Sequence, residues 1–228
     1  MDMDYLRDHQ AACHRRMPLA ATVLLSGLTA ILLSSCEFMG GNYGPGAGFF
    51  DTVIVDAGHG GHDRGAKACS GAPEKALTLD IARRLATVLR NNGLHVIETR
   101  TGDSFVTLGG RVSVSNKSTH AVFVSVHCNW TRRRTAQGIE IYYNTRRSMR
   151  LAANVLEETL KACRTSNRGI KTRGFYVLRN NRRPAVLCEL GFVSNPIDNR
   201  ALQSAVTRQR LAERVAAGIL AEQAGRNP

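Results

Sequence analysis

The chain alternates, from about residue 52 onward, between apolar runs of strand length and longer stretches with helical period. The runs that predict strands are TVIVDA, LHVIETR, AVFVSVHC, GIEIYY, FYVLR and PAVLCELGF. Several are apolar almost throughout, which is typical of strands covered on both faces. Helical patterns run from Glu74 to about Asn92, from about Ser148 to Cys163 and from Ile197 to Gln223. The alternation predicts an α/β fold, a single domain with a mostly parallel central sheet covered by helices on both faces.

The N-terminal part has the layout of a secretory signal peptide. Arg15 and Arg16 precede an apolar stretch of 17 residues, 17–33, which is followed by Ser34, Ser35 and Cys36. An uncleaved membrane anchor is the alternative. The segment LSSC, ending at Cys36, resembles the lipobox of bacterial lipoproteins, and this resemblance implies that Cys36 becomes the acylated first residue of the mature chain.

These boundaries divide the chain into three parts. Residues 1–35 are predicted to be a signal peptide of lipoprotein type, and residues 36–50 form a glycine-rich tether that follows the acylated cysteine. Residues 51–228 form the catalytic or binding domain. The length and the hydrophobic content of this part are sufficient for one buried core.

The formal net charge of +13 narrows the choice of partners. A basic protein favours polyanions, which include nucleic acid, an anionic membrane surface and an acidic cell-wall polymer. The basic cluster at 132–134 lacks the interleaved aromatic residues that stack on bases, and no zinc-finger spacing occurs. We therefore expect no nucleic-acid partner.

Titratable residues stand where several predicted strands end. His59 follows the first strand, His127 ends AVFVSVH, and Glu189 ends PAVLCE. In open α/β sheets such ends meet at one edge, where ligands bind. Glu74 opens the first helix and can turn back toward the same edge. A catalytic zinc takes three ligands from imidazole and carboxylate groups, so His59, Glu74 and His127 are candidate ligands.

The spacing alone leaves other interpretations open. The two histidines could be separate loop residues, and Glu189 could form a salt bridge at a strand end instead of transferring protons. The glycine-rich DAGHGGHDRGA suits a metal-ligand loop. It contains neither the G-x-G-x-x-G motif nor the GK[ST] motif of phosphate-binding loops. A Cys-His peptidase would need Cys128 as nucleophile, whereas strand alternation points Cys128 and Cys188 into the core. His62 is interpreted as a loop residue near the site.

Five segments together resemble one known family. DAGHGGHDRGA, APEKALTLDIARRL, ETRTGDSFVTLGGR, FVSVHCN and PAVLCELGFVSNP are similar, in order and spacing, to the zinc-dependent N-acetylmuramoyl-L-alanine amidases, the cell-separation amidases of bacteria. The resemblance covers about residues 52–222. It implies that His59, Glu74 and His127 bind a zinc ion and that Glu189 is catalytic. Asn129, beside the last ligand, is expected to hold the substrate or to support the ligands.

The resemblance also implies a substrate and a location. The scissile bond would be the amide between N-acetylmuramic acid and L-alanine of the peptidoglycan stem peptide, cut during cell-wall remodelling and cell separation. We expect an exported protein on the periplasmic face of a bacterial membrane, anchored through lipid at Cys36. A zinc peptidase that cuts within the stem peptide and a non-catalytic peptidoglycan-binding lipoprotein are the alternatives.

Some members of the family carry an inserted helix that blocks the zinc until a partner protein displaces it. In this chain the stretches from His127 to Gly138 and from Tyr143 to Ser148 leave no room for such an insert. We therefore expect that no gating partner is required.

Overall fold

A computed structural model describes residues 46–225. The predicted signal peptide, the predicted lipidation site Cys36 and the first part of the tether lie outside the described residues. The described chain forms one six-stranded sheet in the order β2-β1-β3-β6-β4-β5. Neighbouring strands are parallel except for β4 and β6. The strands are β1 (Thr52–Ala57), β2 (His95–Glu98), β3 (Ala121–Asn129), β4 (Ile139–Tyr143), β5 (Asn167–Thr172) and β6 (Ala185–Phe192).

Helices cover both faces of this sheet, which confirms the predicted α/β class. α1, α3 and α6 pack on one face, while the shorter α2 and α4 pack on the other. No helix within residues 46–225 is long and apolar enough to cross a membrane. The helices are α1 (Glu74–Asn91), α2 (Leu108–Lys117), α3 (Met149–Thr159), α4 (Tyr176–Arg179), α5 (Pro196–Gln203) and α6 (Ala205–Ala224), with a 3₁₀ turn at Arg146–Ser148.

The strands are nearly apolar because alternate residues enter two different cores. In β3, Val122 and Val124 face the larger core, whereas Phe123 faces the smaller core under α2 and α4. The same alternation places Cys128 and Cys188 in the larger core, as the sequence predicts. His127 and Glu189 therefore project from the opposite face, the face of the smaller core.

Two predicted elements are wrong. FYVLR is not a strand: β5 already occupies the end of the sheet beside β4, and residues 176–179 form α4. In α4, Val177 and Leu178 pack into the smaller core. The predicted C-terminal helix is two helices, because the backbone at Ser204 is extended and its side chain caps the start of α6.

The last residues before β1 contact the domain. Phe50 is 1% exposed and belongs to the larger core. The backbone N–H of Ala47 donates a hydrogen bond to Glu222 Oε1 at 2.8 Å. The polypeptide that leads into the domain is therefore held against α6 at this point.

A glycine in α6 permits its close contact with α3. A Cβ atom at Gly218 would lie 2.5 Å from Val155 Cα and 2.7 Å from the backbone oxygen of Asn154. We expect Gly218→Ala to lower the free energy of unfolding by about 1–3 kcal/mol, although alanine favours helix, because backbone atoms must move apart. Urea unfolding measures this change.

Gly109→Ala in α2 is the matched control. A Cβ atom there would meet its nearest neighbour, the Tyr176 hydroxyl, at 3.9 Å. This variant should be neutral or stabilised by up to about 1 kcal/mol. Equal stability changes in the two variants would show that the α3–α6 contact is not as tight as described.

Candidate metal centre

The loop after β1 turns His59 toward α1. His59 has a φ of 62°, in the left-handed region that non-glycine residues adopt uncommonly. Reciprocal backbone hydrogen bonds between Gly60 and Asp63 close the turn. A Cβ atom at Gly58 would lie 2.3 Å from the His127 ring, and one at Gly65 would lie 2.7 Å from Glu74 Oε2 and from the His59 ring. Only glycine fits at these two positions, because the site residues fill the space.

The structure brings His59, Glu74 and His127 together. Glu74 is the first residue of α1 and is 3% exposed. Its Oε1 atom lies 3.1 Å from His59 Nε2 and 3.2 Å from His127 Nδ1. One ligand atom from each of the three residues lies within 4.8 Å of the others. Two imidazoles and one carboxylate are a donor set that fits a catalytic metal with one position left open.

Hydrogen bonds from surrounding groups orient these donors. Glu74 Oε2 accepts from the backbone N–H of Ala66 at 2.7 Å, and Oε1 accepts from that of Cys128 at 3.0 Å. Asp63 Oδ2 lies 2.9 Å from His59 Nδ1, and its other oxygen accepts from Gly65 N–H. Such partners fix the orientation and tautomer of a metal-binding imidazole. Asp63 was not predicted as a site residue, although an acid four residues after His59 in the same loop indicates a partner for that imidazole.

The electrostatics of the cluster favour a cation at its centre. Burial alone would raise the pKa of Glu74, but hydrogen bonds with His127 and His59 hold it far below its ordinary value. Burial likewise opposes the charged form of His59, yet Glu74 and Asp63 raise the pKa of His59 to about 9. Without a metal, protonated imidazole stabilises the buried carboxylate. A bound metal ion would supply the same positive charge.

Two arginines hold the backbone of the His59 loop. Arg111 forms a buried ion pair with Asp56 at 2.6 Å and donates to the backbone oxygens of Ala57 and His59. Arg100 donates to the oxygens of Ala57 and Gly58 at 2.9 and 2.7 Å. Neither arginine was predicted as a site residue: Arg100 ends the predicted strand LHVIETR, Arg111 lies in a segment without helical period, and neither position indicates a contact with the His59 loop. Their guanidinium groups satisfy carbonyls that the turn leaves without ladder partners.

Glu189 lies beside the cluster in a different environment. It is opposite His127 in the register of β3 and β6. Its Oε2 atom is buried and has no hydrogen-bond partner within residues 46–225. Burial, with smaller opposing effects from neighbouring charges, raises the pKa of Glu189 to about 7. Glu189 forms no ion pair within the described chain, which argues against the alternative that it is a salt-bridge residue at a strand end.

The remaining candidates lie apart from the three donors. Asn129 donates from Nδ2 to Glu140 Oε1 at 2.6 Å, so it contacts a side chain of β4, on the far side of β6. The His62 ring packs on Phe105 with the ring centroids 4.1 Å apart. Cys128 is buried, and burial raises the pKa of its thiol well above the ordinary value, which disfavours a thiolate nucleophile.

The cluster lies in an open cleft of about 530 Å³, which we call the metal-site cleft. His59, Glu74, His127 and Glu189 contribute its polar side. A wall of large apolar side chains also lines the cleft, and exposed ones among them are Phe105, Leu108, Trp130 and Tyr176. This apolar wall was not predicted, because its residues come from loops and from helices without a clear period.

The fold and the cluster together define an α/β domain whose sheet edge carries a possible metal site. Residues 53–221 match the N-acetylmuramoyl-L-alanine amidase family, and the chain belongs to that family. The N-acetylmuramoyl-L-alanine amidase LytC of Bacillus subtilis is 33% identical over 174 residues, which are 75% of this chain and 35% of LytC. The chain thus spans about a third of that relative's length.

Solved structures agree with this assignment. The catalytic domain of the amidase CwlV from Paenibacillus polymyxa is 34% identical with a TM-score of 0.72, covering 75% of this chain and 96% of that one. The CwlD amidase of Clostridioides difficile, solved in complex with the GerS lipoprotein, is 29% identical with a TM-score of 0.74. That match covers 77% of this chain and 99% of CwlD.

A methyl group at Gly65 should disturb the cluster without removing a ligand. We expect Gly65→Ala to weaken metal binding by about 10–100-fold, the effect typical of losing supporting contacts, because the new Cβ displaces Glu74 and His59. Titration of the metal-free protein with Zn²⁺ against a chromogenic chelator measures the affinity.

Gly48→Ala is the matched control for backbone strain. Gly48 also has a positive φ, 76° against 66° at Gly65, but a Cβ atom there meets nothing within 4 Å. This variant should bind metal like the unchanged protein. If Gly65→Ala also kept full affinity, the described packing around Glu74 would be wrong.

Proposed function

We propose that this protein is a zinc-dependent peptidoglycan amidase that hydrolyses the amide between N-acetylmuramic acid and L-alanine of the stem peptide. Membership of the N-acetylmuramoyl-L-alanine amidase family supports the reaction and the substrate class. The observation that carries the metal requirement is the convergence of His59, Glu74 and His127 within 4.8 Å at the floor of an open cleft.

The three donors would hold the zinc ion. Two neutral imidazoles and one carboxylate match the ligand types that catalytic zinc prefers. When bound, zinc supplies a Lewis acid that polarises the scissile carbonyl and lowers the pKa of water. Asp63 keeps the His59 ring in position, and the Ala66 and Cys128 N–H groups fix the Glu74 carboxylate.

Glu189 would transfer protons in this reaction. Amide hydrolysis needs a base that accepts a proton from the attacking water and an acid that donates one to the leaving amine. A carboxyl group with a pKa of about 7 can do both near neutral pH. Its buried Oε2 has no hydrogen-bond partner within residues 46–225, so the group is available for substrate or water.

We further propose that the enzyme acts outside the cytoplasmic membrane in cell-wall remodelling and cell separation, anchored by lipid at Cys36. The signal-peptide layout and the segment LSSC support this location. We propose that no gating partner is required, because the connection from β3 to β4 spans only residues 130–138 and contains no helix. The proposed independence from a gating partner can be compared with CwlD, which was solved in complex with the GerS lipoprotein.

Mass spectrometry of digested muropeptides tests the reaction. Incubation of purified protein and zinc with muropeptides should release free stem peptides that begin at L-alanine, without any added protein. Shortened stems would indicate a zinc peptidase instead. Unchanged muropeptides with retained binding would indicate a non-catalytic binding protein.

The same digest tests the role of Glu189. Glu189→Gln should keep its zinc and lose about 10²–10⁴-fold in kcat, because an amide cannot accept and return the proton. Metal content and turnover are measured on the same sample. A variant with full metal and full turnover would contradict the mechanism.

Lipidation is tested by a cysteine substitution in the full chain. We expect Cys36→Ala, expressed in a bacterium, to lose both its fatty-acid label and its membrane association. Two acyl chains buried in a bilayer anchor a protein stably, and a protein without an acyl chain has no such anchor. Cys69→Ala, which removes an exposed cysteine of the domain, should keep both. If the Cys36→Ala protein still carried the fatty-acid label, the lipid would be attached to another residue.

A further inference from the structure

A second concave surface adjoins the metal-site cleft on the side of β4 and β5. It has a volume of about 820 Å³ and mostly polar walls. Its charged lining residues are four cations and one carboxylate, Arg133, Arg168, Lys171, Arg173 and Glu140. We call this surface the basic groove. Its excess of positive charge suits an anionic ligand.

Glu140 organises the floor of the groove. It is 3% exposed and accepts hydrogen bonds from Asn129 Nδ2 at 2.6 Å and from the Tyr142 hydroxyl at 2.7 Å. It also forms ion pairs with Lys171 and with Arg168, the latter at 2.8 Å. Burial opposes the charge on Glu140, but these donors lower its pKa to about 2. The carboxylate therefore remains charged and fixes two cations in place.

Arg168 is held so that most of its donors remain free. Its Nε atom binds Glu140, and its guanidinium lies over the Phe192 ring at 4.9 Å. Within residues 46–225, its two terminal nitrogens donate no hydrogen bond. Arg173 stacks in a similar way on Phe175, at 5.1 Å. A stacked guanidinium keeps its N–H edge open for bidentate binding of a carboxylate.

The groove is continuous with the reaction site. Asn129 and Trp130 line both the groove and the metal-site cleft. Glu140 is also the register partner of Glu189 across β4 and β6. A molecule whose scissile bond lies at Glu189 can therefore extend directly into the groove.

We infer that the basic groove binds a free carboxylate of the stem peptide and so selects for stems that carry one near the scissile bond. The inference rests on the proposed function. In the amide substrate the lactyl carboxyl is part of the scissile bond, so the glycan is uncharged and the free carboxylates belong to the peptide. The aromatic wall of the metal-site cleft, with Phe105 and Tyr176, suits the sugar instead.

Two muropeptides that differ in one group test the inference. Both contain a γ-linked glutamate as second stem residue, with its α-carboxyl either free or amidated. We expect the protein to prefer the free acid by at least about tenfold in kcat/KM, mainly through KM, because hydrogen bonds between charged groups are stronger than neutral ones.

Substitutions connect this preference to the groove. In Arg168→Gln and in Arg173→Gln the ratio of the two kcat/KM values should fall toward one. The ratio does not depend on the fraction of folded enzyme, so partial unfolding cannot imitate the result. Arg210→Gln, which changes an exposed arginine of α6 outside both surfaces, should keep the wild-type ratio.

The outcomes separate the two proposals. Equal cleavage of both muropeptides by the unchanged protein would overturn the groove assignment and leave the amidase function intact. A preference retained in both groove variants would overturn it as well. If neither muropeptide released a stem peptide, the proposed function would fail, and the inference with it.

Discussion

The carboxylate of Glu74 is the group on which the arrangement of the site depends. A buried carboxylate is unfavourable unless positive charge and hydrogen bonds compensate for it. Here both histidines lie within 3.2 Å of one oxygen, and two backbone N–H groups bind the carboxylate. Since Glu74 begins α1, His59 follows β1 and His127 lies near the end of β3, this contact fixes the helix against the sheet edge. The same attraction that stabilises the fold locally therefore also gathers the metal donors.

The loop that carries His59 needs support from outside the cluster. A non-glycine residue with positive φ costs on the order of 1–3 kcal/mol and persists only where its surroundings determine it. Arg111 and Arg100 supply that support through the backbone oxygens of residues 57–59. Arg111 is in turn neutralised by the buried Asp56, which also accepts from Ser125 and Thr99. The His59 backbone is thus anchored to β1, to β3 and to the residue that follows β2.

The sequence predicted those elements and site residues that are determined by a single strand or a single motif. β1, β3 and β6 were found because they are buried on both faces. His59, His127 and Glu189 were found because they stand at the predicted ends of those strands, although β3 and β6 continue to Asn129 and Phe192. α2 was missed because LGGRVSVSNK contains two glycines and no apolar period, so capping by Thr107 and tertiary packing decide its structure. Glu140 was missed as well, because an acid inside an apolar strand acquires its partners only when β5 pairs with β4 and brings Arg168 and Lys171 beside it.

The pairing of β4 with β6 gives two neighbouring carboxylates opposite properties. His127, Glu189 and Glu140 are successive register partners across β3, β6 and β4, on one face of the sheet. Glu140 is surrounded by Arg168, Lys171, Tyr142 and Asn129, and its pKa falls to about 2. Glu189 has no such donors among the described residues 46–225, and burial raises its pKa to about 7. The antiparallel pair thus places a permanently charged carboxylate, which organises the basic groove, beside one that can exchange a proton. Because the two groups are adjacent across the strands, binding of an anion by the cations around Glu140 and proton transfer at Glu189 would involve the same substrate molecule.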